Sequence, residues 1–293
     1  MSGKRIKKHH FVPKVLQKAF RAEGDHIWYS SRDSDGRFGD VEDRNIESTF
    51  RVKDLYTVLN DDDILSDEIE REFYGRIDDF LGRMLPKVLE SLDSGKVPTF
   101  SSEALFGLRR IVFEMIKRTP DFTKKYDDIE IGKDFVENML RSFKENPDPE
   151  RQSTFENALS NQTKLKQLGR TIKVRGVILN SEMVSDAMAQ LVPRWAVIEG
   201  KQSFILSSLI AYRIGNGDHN GLANPNMEIW MPIAPKYAIV LLQDPQGRIP
   251  HRVDEPRDHV RQVNEFAVRN SRYVASHSRK LLKSLILHGG TFD

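Results

Sequence analysis

From Ser66 onward, apolar residues recur at every third or fourth position: Ile69, Phe73, Ile77, Phe80, Leu81, Met84, Leu85, Val88 and Leu89. This stripe predicts an amphipathic helix of roughly seven turns, with Pro86 as a kink. Pro98 ends it. Ser101 or Ser102 is placed to cap the next helix, whose apolar face is Leu105, Leu108, Ile111, Val112, Met115 and Ile116, and Thr119-Pro120 closes that one. Two further amphipathic stretches, 121–145 and 153–169, flank the linker Asn146-Pro147-Asp148-Pro149. The middle of the chain, 66–169, therefore reads as helical.

Both ends read differently. Pro13 suits a first helical turn, and Val15, Leu16, Ala19 and Phe20 follow at helical spacing, so 13–21 is expected to be a short helix. His26 to Ser30 is strand-like, and the polar run Arg32 to Asp40 supplies a turn, the start of a hairpin. Past Pro193, Trp195 to Glu199 and Ser203 to Ile210 read as a hairpin around Gly200-Lys201-Gln202. Glu228 to Ile233 and Tyr237 to Leu242 read as a second hairpin, with a loop from Gly215 to Asn226 in between. Val260, Val263, Phe266, Ala267, Tyr273 and Val274 describe one more helix, and Leu281, Leu282, Leu285 and Ile286 a last one before Gly289-Gly290. The expected fold is α+β: a predominantly helical middle and a small mixed or antiparallel sheet formed by N- and C-terminal strands. The strand segments are too few for two independent sheets, so a single domain over 9–275 is expected, followed by a C-terminal helix and tail over 276–293.

Composition narrows the class of protein. The 293 residues are 39% hydrophobic and 30% charged, as in a globular chain. No apolar run approaches the ~20 residues of a bilayer span, so no membrane partner is expected. Lys4, Arg5, Lys7 and Lys8 lead into His9, His10 and Pro13 rather than into an apolar stretch, which argues against a secretory signal and makes the cytoplasm the default. The absence of cysteine excludes disulfides, thiolate catalysis and sulfur-ligated zinc, leaving histidine and carboxylate as the strong metal ligands. The net charge of +2 does not mark the whole molecule as a nucleic-acid binder, but the first twenty-one residues hold seven Lys or Arg and no acid. Such an arm attracts phosphate, or is simply a solvated terminus.

The densest chemical cluster is Lys8-His9-His10-Phe11-Val12-Pro13. Its imidazoles suit a general base, a phosphate contact or a metal ligand, or else packing and capping. The acidic helix from 66 carries Glu70 and Asp78, about 12 Å apart along the axis at 1.5 Å per residue, too far to share one ion directly. A site would have to draw on residues from elsewhere, His9 or His10 first, and a solvated acidic face is the competing reading. Asp218-His219-Asn220 can build a hydrolytic site or a self-bonded turn. There is no phosphate-binding glycine loop, nucleophile elbow or zinc helix.

His9-His10-Phe11-Val12-Pro13 with Leu16 and Phe20 resembles the opening of the bacterial domain-of-unknown-function family 4238. The likeness extends through His26-Ile27-Trp28-Tyr29, Asp54-Leu55-Tyr56, Glu70 with Asp78, Arg118-Thr119-Pro120, Phe204-Ile205-Leu206-Ser207, Met231-Pro232-Ile233-Ala234-Pro235 and Val263-Asn264. Where that family continues as Ser-Asp-x-Pro, this chain has Ser207-Ser208-Leu209-Ile210. The resemblance implies the domain outline and leaves the biochemistry unassigned. Two functions are compatible with it. One is a metal-dependent hydrolase, a nuclease or phosphodiesterase, with His9, His10 and Glu70 catalytic, His10 and Glu70 holding Mg²⁺ or Mn²⁺, and Lys8 and Arg118 binding an anionic substrate. The other is a non-catalytic module for nucleic acid or a protein partner, in which the histidines and Arg118 are structural.

Overall fold

The computed structural model describes residues 8–60, 64–120, 122, 129–145, 147–215, 221–222 and 224–289. Its first half runs β1 (Lys8–His10), α1 (Lys14–Ala19), β2 (His26–Ser31), β3 (Glu42–Asn45), β4 (Arg51–Lys53), β5 (Val58–Leu59), β6 (Leu65–Ser66), a π-helical stretch Ile69–Tyr74, α2 (Gly75–Asp93) and α3 (Ser102–Lys117). Then come α4 (Ile129–Glu145), α5 (Pro149–Leu159), α6 (Gln162–Ile178), α7 (Glu182–Ala189), β7 (Leu191–Val197), β8 (Leu206–Ser207), β9 (Tyr212–Gly215), β10 (Met227–Ala234) and β11 (Tyr237–Gln243). The chain closes with β12 (Arg252–Asp254), α8 (Arg257–Asn270), β13 (Tyr273–Ser276) and α9 (Arg279–Gly289). The fold is α+β. It divides into two compact units, one built from 1–9, 52–76 and 120–179, the other from 10–51, 77–119 and 180–293. The basic residues Lys4, Arg5 and Lys7, the linker residue Asn146 and the Asp218-His219-Asn220 segment lie outside the described residues.

In the first unit, helices α4, α5 and α6 enclose Val136, Ala158 and Leu165, with Phe135, Phe155 and Leu168 packed against them. Local chemistry fixes their ends. Asp148 caps α5, its carboxylate accepting from the Arg151 N–H, and Pro149 occupies the first turn; Asn161 caps α6 by accepting from the Lys164 N–H. The stretch expected to be one helix over 153–169 is therefore broken at Ser160-Asn161, because the asparagine satisfies the start of a new helix. Gly132 of α4 permits a close approach to α6, where a Cβ would run into the Leu165 carbonyl oxygen.

The second unit holds the larger sheets. Five strands run in the order β12-β7-β11-β10-β9, antiparallel except for the β12–β7 pair. Four run β3-β2-β13-β8, so an N-terminal strand pairs with a C-terminal one, Ser31 opposite Tyr273. The expected hairpin β10–β11 is present. The hairpin expected around Gly200-Lys201-Gln202 is not, since β7 enters the five-stranded sheet and β8 the four-stranded one. The buried Asn264 of α8 accounts for this. Its Oδ1 accepts from the Ile205 N–H at 3.1 Å and its Nδ2 donates to the Ser203 carbonyl at 2.8 Å, taking backbone groups a hairpin ladder would use. Tyr273 and Val274, expected in a helix, form β13 instead. Arg32 marks where α8 stops: Nη2 donates to the Val268 carbonyl and Nε to the Ser271 carbonyl, both at 2.9 Å, satisfying acceptors that a helix end leaves orphaned.

Ser101 caps α3 by accepting from the Ala104 N–H. The long stripe from 66 is not uniformly α-helical, because Ile69–Tyr74 is wound as a π-helix before α2 begins, a departure that apolar spacing of three and four does not reveal. Pro86 lies inside α2, which ends at Asp93, before Pro98.

Candidate functional site

In the first unit, Asp54 adopts φ +54°, a left-handed turn that aspartate tolerates better than most residues. The turn aims the Tyr56 N–H at His9 Nδ1, 2.9 Å away. His9 is fully buried, its ring stacked on Tyr56 with centroids 5.6 Å apart. Tyr74, from the π-helical stretch, closes on Tyr56 at 4.3 Å. Because Nδ1 accepts a backbone proton, it is not a basic nitrogen open to a substrate. Glu70 lies half-buried in that π-helical stretch, a geometry frequent at functional sites, and Lys8 is exposed on β1.

The second unit contains His10, Asp78 and Arg118. Arg118 ends α3 and is completely buried. Its Nη1 donates to Asp78 Oδ1, its Nη2 to Asp78 Oδ2 at 2.9 Å, and the same Nη2 to the His10 carbonyl at 3.1 Å. The expected convergence of the histidine segment, the acidic helix and the arginine exists here, but it runs through the His10 backbone and not its imidazole. The half-buried ring has a hydrogen bond to the Glu47 backbone, and its Nε2 is buried without a hydrogen-bond partner. Burial holds the imidazole below its ordinary pKa; Lys14 and Arg51 push the same way, and Glu47 opposes them. His10 and Glu70 belong to different units, and among the described residues no group of three or more His, Asp or Glu side chains could hold a metal ion.

Ser207-Ser208-Leu209-Ile210, where an acid was expected from the family pattern, serves the start of β13. The buried Ser208 Oγ accepts from the Arg272 N–H at 3.0 Å and the Tyr273 N–H at 3.3 Å.

A different polar network emerges on one face of the five-stranded sheet. Arg194, Val240 and Trp230 lie in one row across β7, β11 and β10, and Glu228 precedes Trp230 by two residues, so all four share a face. Glu228 accepts from Trp230 Nε1–H at 2.8 Å and pairs with Arg194 Nη2 at 3.2 Å. The same Nη2 lies 3.7 Å from Glu255, just ahead of α8. Glu255 Oε2 is 2.6 Å from His259 Nδ1, and the imidazole stands edge-on to Trp230. Glu255 is 3% exposed and His259 38%. A carboxylate only accepts, so His259 Nδ1 carries the proton in this contact. His259 also lines a cavity of about 350 Å³ with Ile214, Gln262, Phe266 and Arg269. None of these residues was read as a site residue from sequence. The available signal was Glu255 at a helix entrance with a histidine four residues on, and a polar–Trp alternation in β10.

Fold and network together define a mixed α+β protein that carries a carboxylate-oriented imidazole on a sheet face. No described helix is long and apolar enough to cross a membrane. The chain belongs to the DUF4238 family: that family's model, described as a protein of unknown function, matches residues 8–280. No curated protein and no solved structure matches it.

Proposed function

We propose that the protein is a hydrolase in which His259 acts as general base. The observation that carries this reading is the 2.6 Å contact between His259 Nδ1 and the buried Glu255 carboxylate, beside a cavity large enough for a ligand. Glu255 fixes the tautomer and stabilises the imidazolium that forms when Nε2 takes a proton from water, the role of an orienting acid. Arg194, paired with Glu228, lies 3.7 Å from Glu255 and places a positive charge on that side of the network. Arg269 lies ten residues from His259 on the same helix, about 15 Å along its axis. That spacing suits an extended substrate with an anionic group well away from the bond that is cut, such as a phosphodiester oligomer. The test is turnover of bis(p-nitrophenyl) phosphate and single-stranded oligonucleotides in Mg²⁺, in Mn²⁺ and in chelator. His259→Ala is expected to abolish turnover and Glu255→Gln to lower kcat by about 10²–10⁴-fold. Turnover that survives His259→Ala overturns the assignment.

A second reading, a non-catalytic module that binds nucleic acid, is supported by the cations around His10. Lys14 and Arg51 both act on its imidazole, and Glu47, the acid facing them, is paired with Lys14 at 2.6 Å. Salt-dependent binding of an oligonucleotide, lost in a Lys14→Glu, Arg51→Glu variant and accompanied by no cleavage, favours it over hydrolysis.

A further inference from the structure

A groove on the second unit, remote in sequence from the Glu255–His259 pair, has the composition of a ligand site. Along α2 it is lined by Phe80, Met84 and Val88, with Pro98, Phe100 and Ala104 forming the opposite wall, and it encloses about 440 Å³. The wall is firmly held. Phe100 stacks on the buried Trp195 of β7 at 6.0 Å and 17°, and a Cβ on Gly107 of α3 would lie 3.6 Å from the Phe80 ring. Arg83 and Lys87 form one rim, one helical turn apart and both exposed; among the described residues neither has an ion-pair partner. Among the described residues, no carboxylate lines the groove.

We propose that this groove binds a small amphipathic anion, an acyl or aryl chain carrying one carboxylate or phosphate. The apolar floor removes the chain from water, and a volume within the roughly 300–1,000 Å³ of ligand pockets suits a small molecule. Two adjacent cations on a single rim fit one headgroup, which both contact at once. The charge is confined to one turn of α2, whereas a docked acidic helix would call for cations spread along the groove.

Isothermal titration with decanoate and with decanol tests the assignment, with melting temperature confirming that each variant is folded. Decanoate is expected to bind the wild-type protein more tightly than decanol. Arg83→Ala with Lys87→Ala is expected to weaken decanoate about tenfold and leave decanol unchanged, since two exposed cations contact the headgroup and neither contacts the chain. Ala104→Trp, which fills the groove, is expected to remove both. Decyl phosphate in place of decanoate identifies which headgroup is preferred. Absence of decanoate binding, equal affinity for decanol, indifference to Ala104→Trp, or tighter binding of an acidic amphipathic peptide at the same groove would each overturn the proposal.

Discussion

Arg118 and Asp78 are paired asymmetrically: the guanidinium is fully buried, whereas the Asp78 side chain is 36% exposed. The two removals should therefore differ. Asp78→Ala removes the bidentate carboxylate from a fully buried cation and is expected to cost toward the low end of about 3–5 kcal/mol, because water can reach the vacated side. Arg118→Met removes the buried charge and leaves a carboxylate that water can solvate, at a smaller cost of about 1–3 kcal/mol from the unmet His10 carbonyl. Urea unfolding midpoints of the two variants check the order, and a larger loss for Arg118→Met would contradict the asymmetry.

Ser208 holds two backbone N–H groups at the start of β13. Ser208→Ala removes the acceptor that both N–H groups share and is expected to destabilise by about 0.5–1.5 kcal/mol. Ser208→Asp restores the residue of the family pattern, and its carboxylate accepts the same two protons, so it is expected to be better tolerated than alanine. Thermal melts of the pair give the comparison.

Two histidines make stability depend on pH. Burial, followed by Lys14, lowers the pKa of His10; burial, followed by Lys236, lowers that of His277. Both are therefore depressed in the folded state relative to an ordinary value of 6.5. As pH falls through that value the unfolded chain takes up protons first, so the stability is complete above it and is lost progressively below it. Denaturation at pH 7.5 and 5.5 should show a drop, and the drop should shrink in a His10→Asn, His277→Gln double variant.

Gly132→Ala improves helix propensity by about 1 kcal/mol but places a methyl group against the Leu165 carbonyl. Backbone cannot yield as a flexible side chain does, so α4 and α6 must separate, and a net loss of about 1–3 kcal/mol is expected. A variant as stable as the parent would mean that the two helices move apart freely.

Most of the long helices were legible because their apolar stripes and caps are local, whereas α7 was not read from sequence. Ser101 and the Leu105–Ile116 stripe declare an element without reference to distant residues, whereas Asp148-Pro149, read as linker, starts α5. β10 and β11 were legible because only Pro235-Lys236 separates them. What escaped depended on long-range partners. Asn264 redirects the Ser203–Ile205 backbone, and Arg32 terminates a helix far along the chain, and neither event has a local periodicity. The π-helical stretch escaped because it keeps the apolar order of an α-helix while changing its winding. Of the site residues read from sequence, Arg118 does meet His10, but at its carbonyl, with Asp78 of the acidic helix on the other side of the guanidinium; a pattern of side chains carries no information about which atom of a residue will be used. The Glu255–His259 pair escaped because Arg194, Glu228 and Trp230 join it only once β7, β10 and β11 stand side by side.

The pairing of Ser31 with Tyr273 has a consequence for biosynthesis. On a ribosome adding roughly 5–20 residues per second, β2 emerges early and its partner edge stays open for on the order of tens of seconds. A nascent chain in that interval exposes the β13-facing edge of the strand containing Trp28 and Tyr29, a template for joining to another chain. A premature stop anywhere before β13 makes that exposure permanent, so truncated products are expected to be aggregation-prone and captured by chaperones.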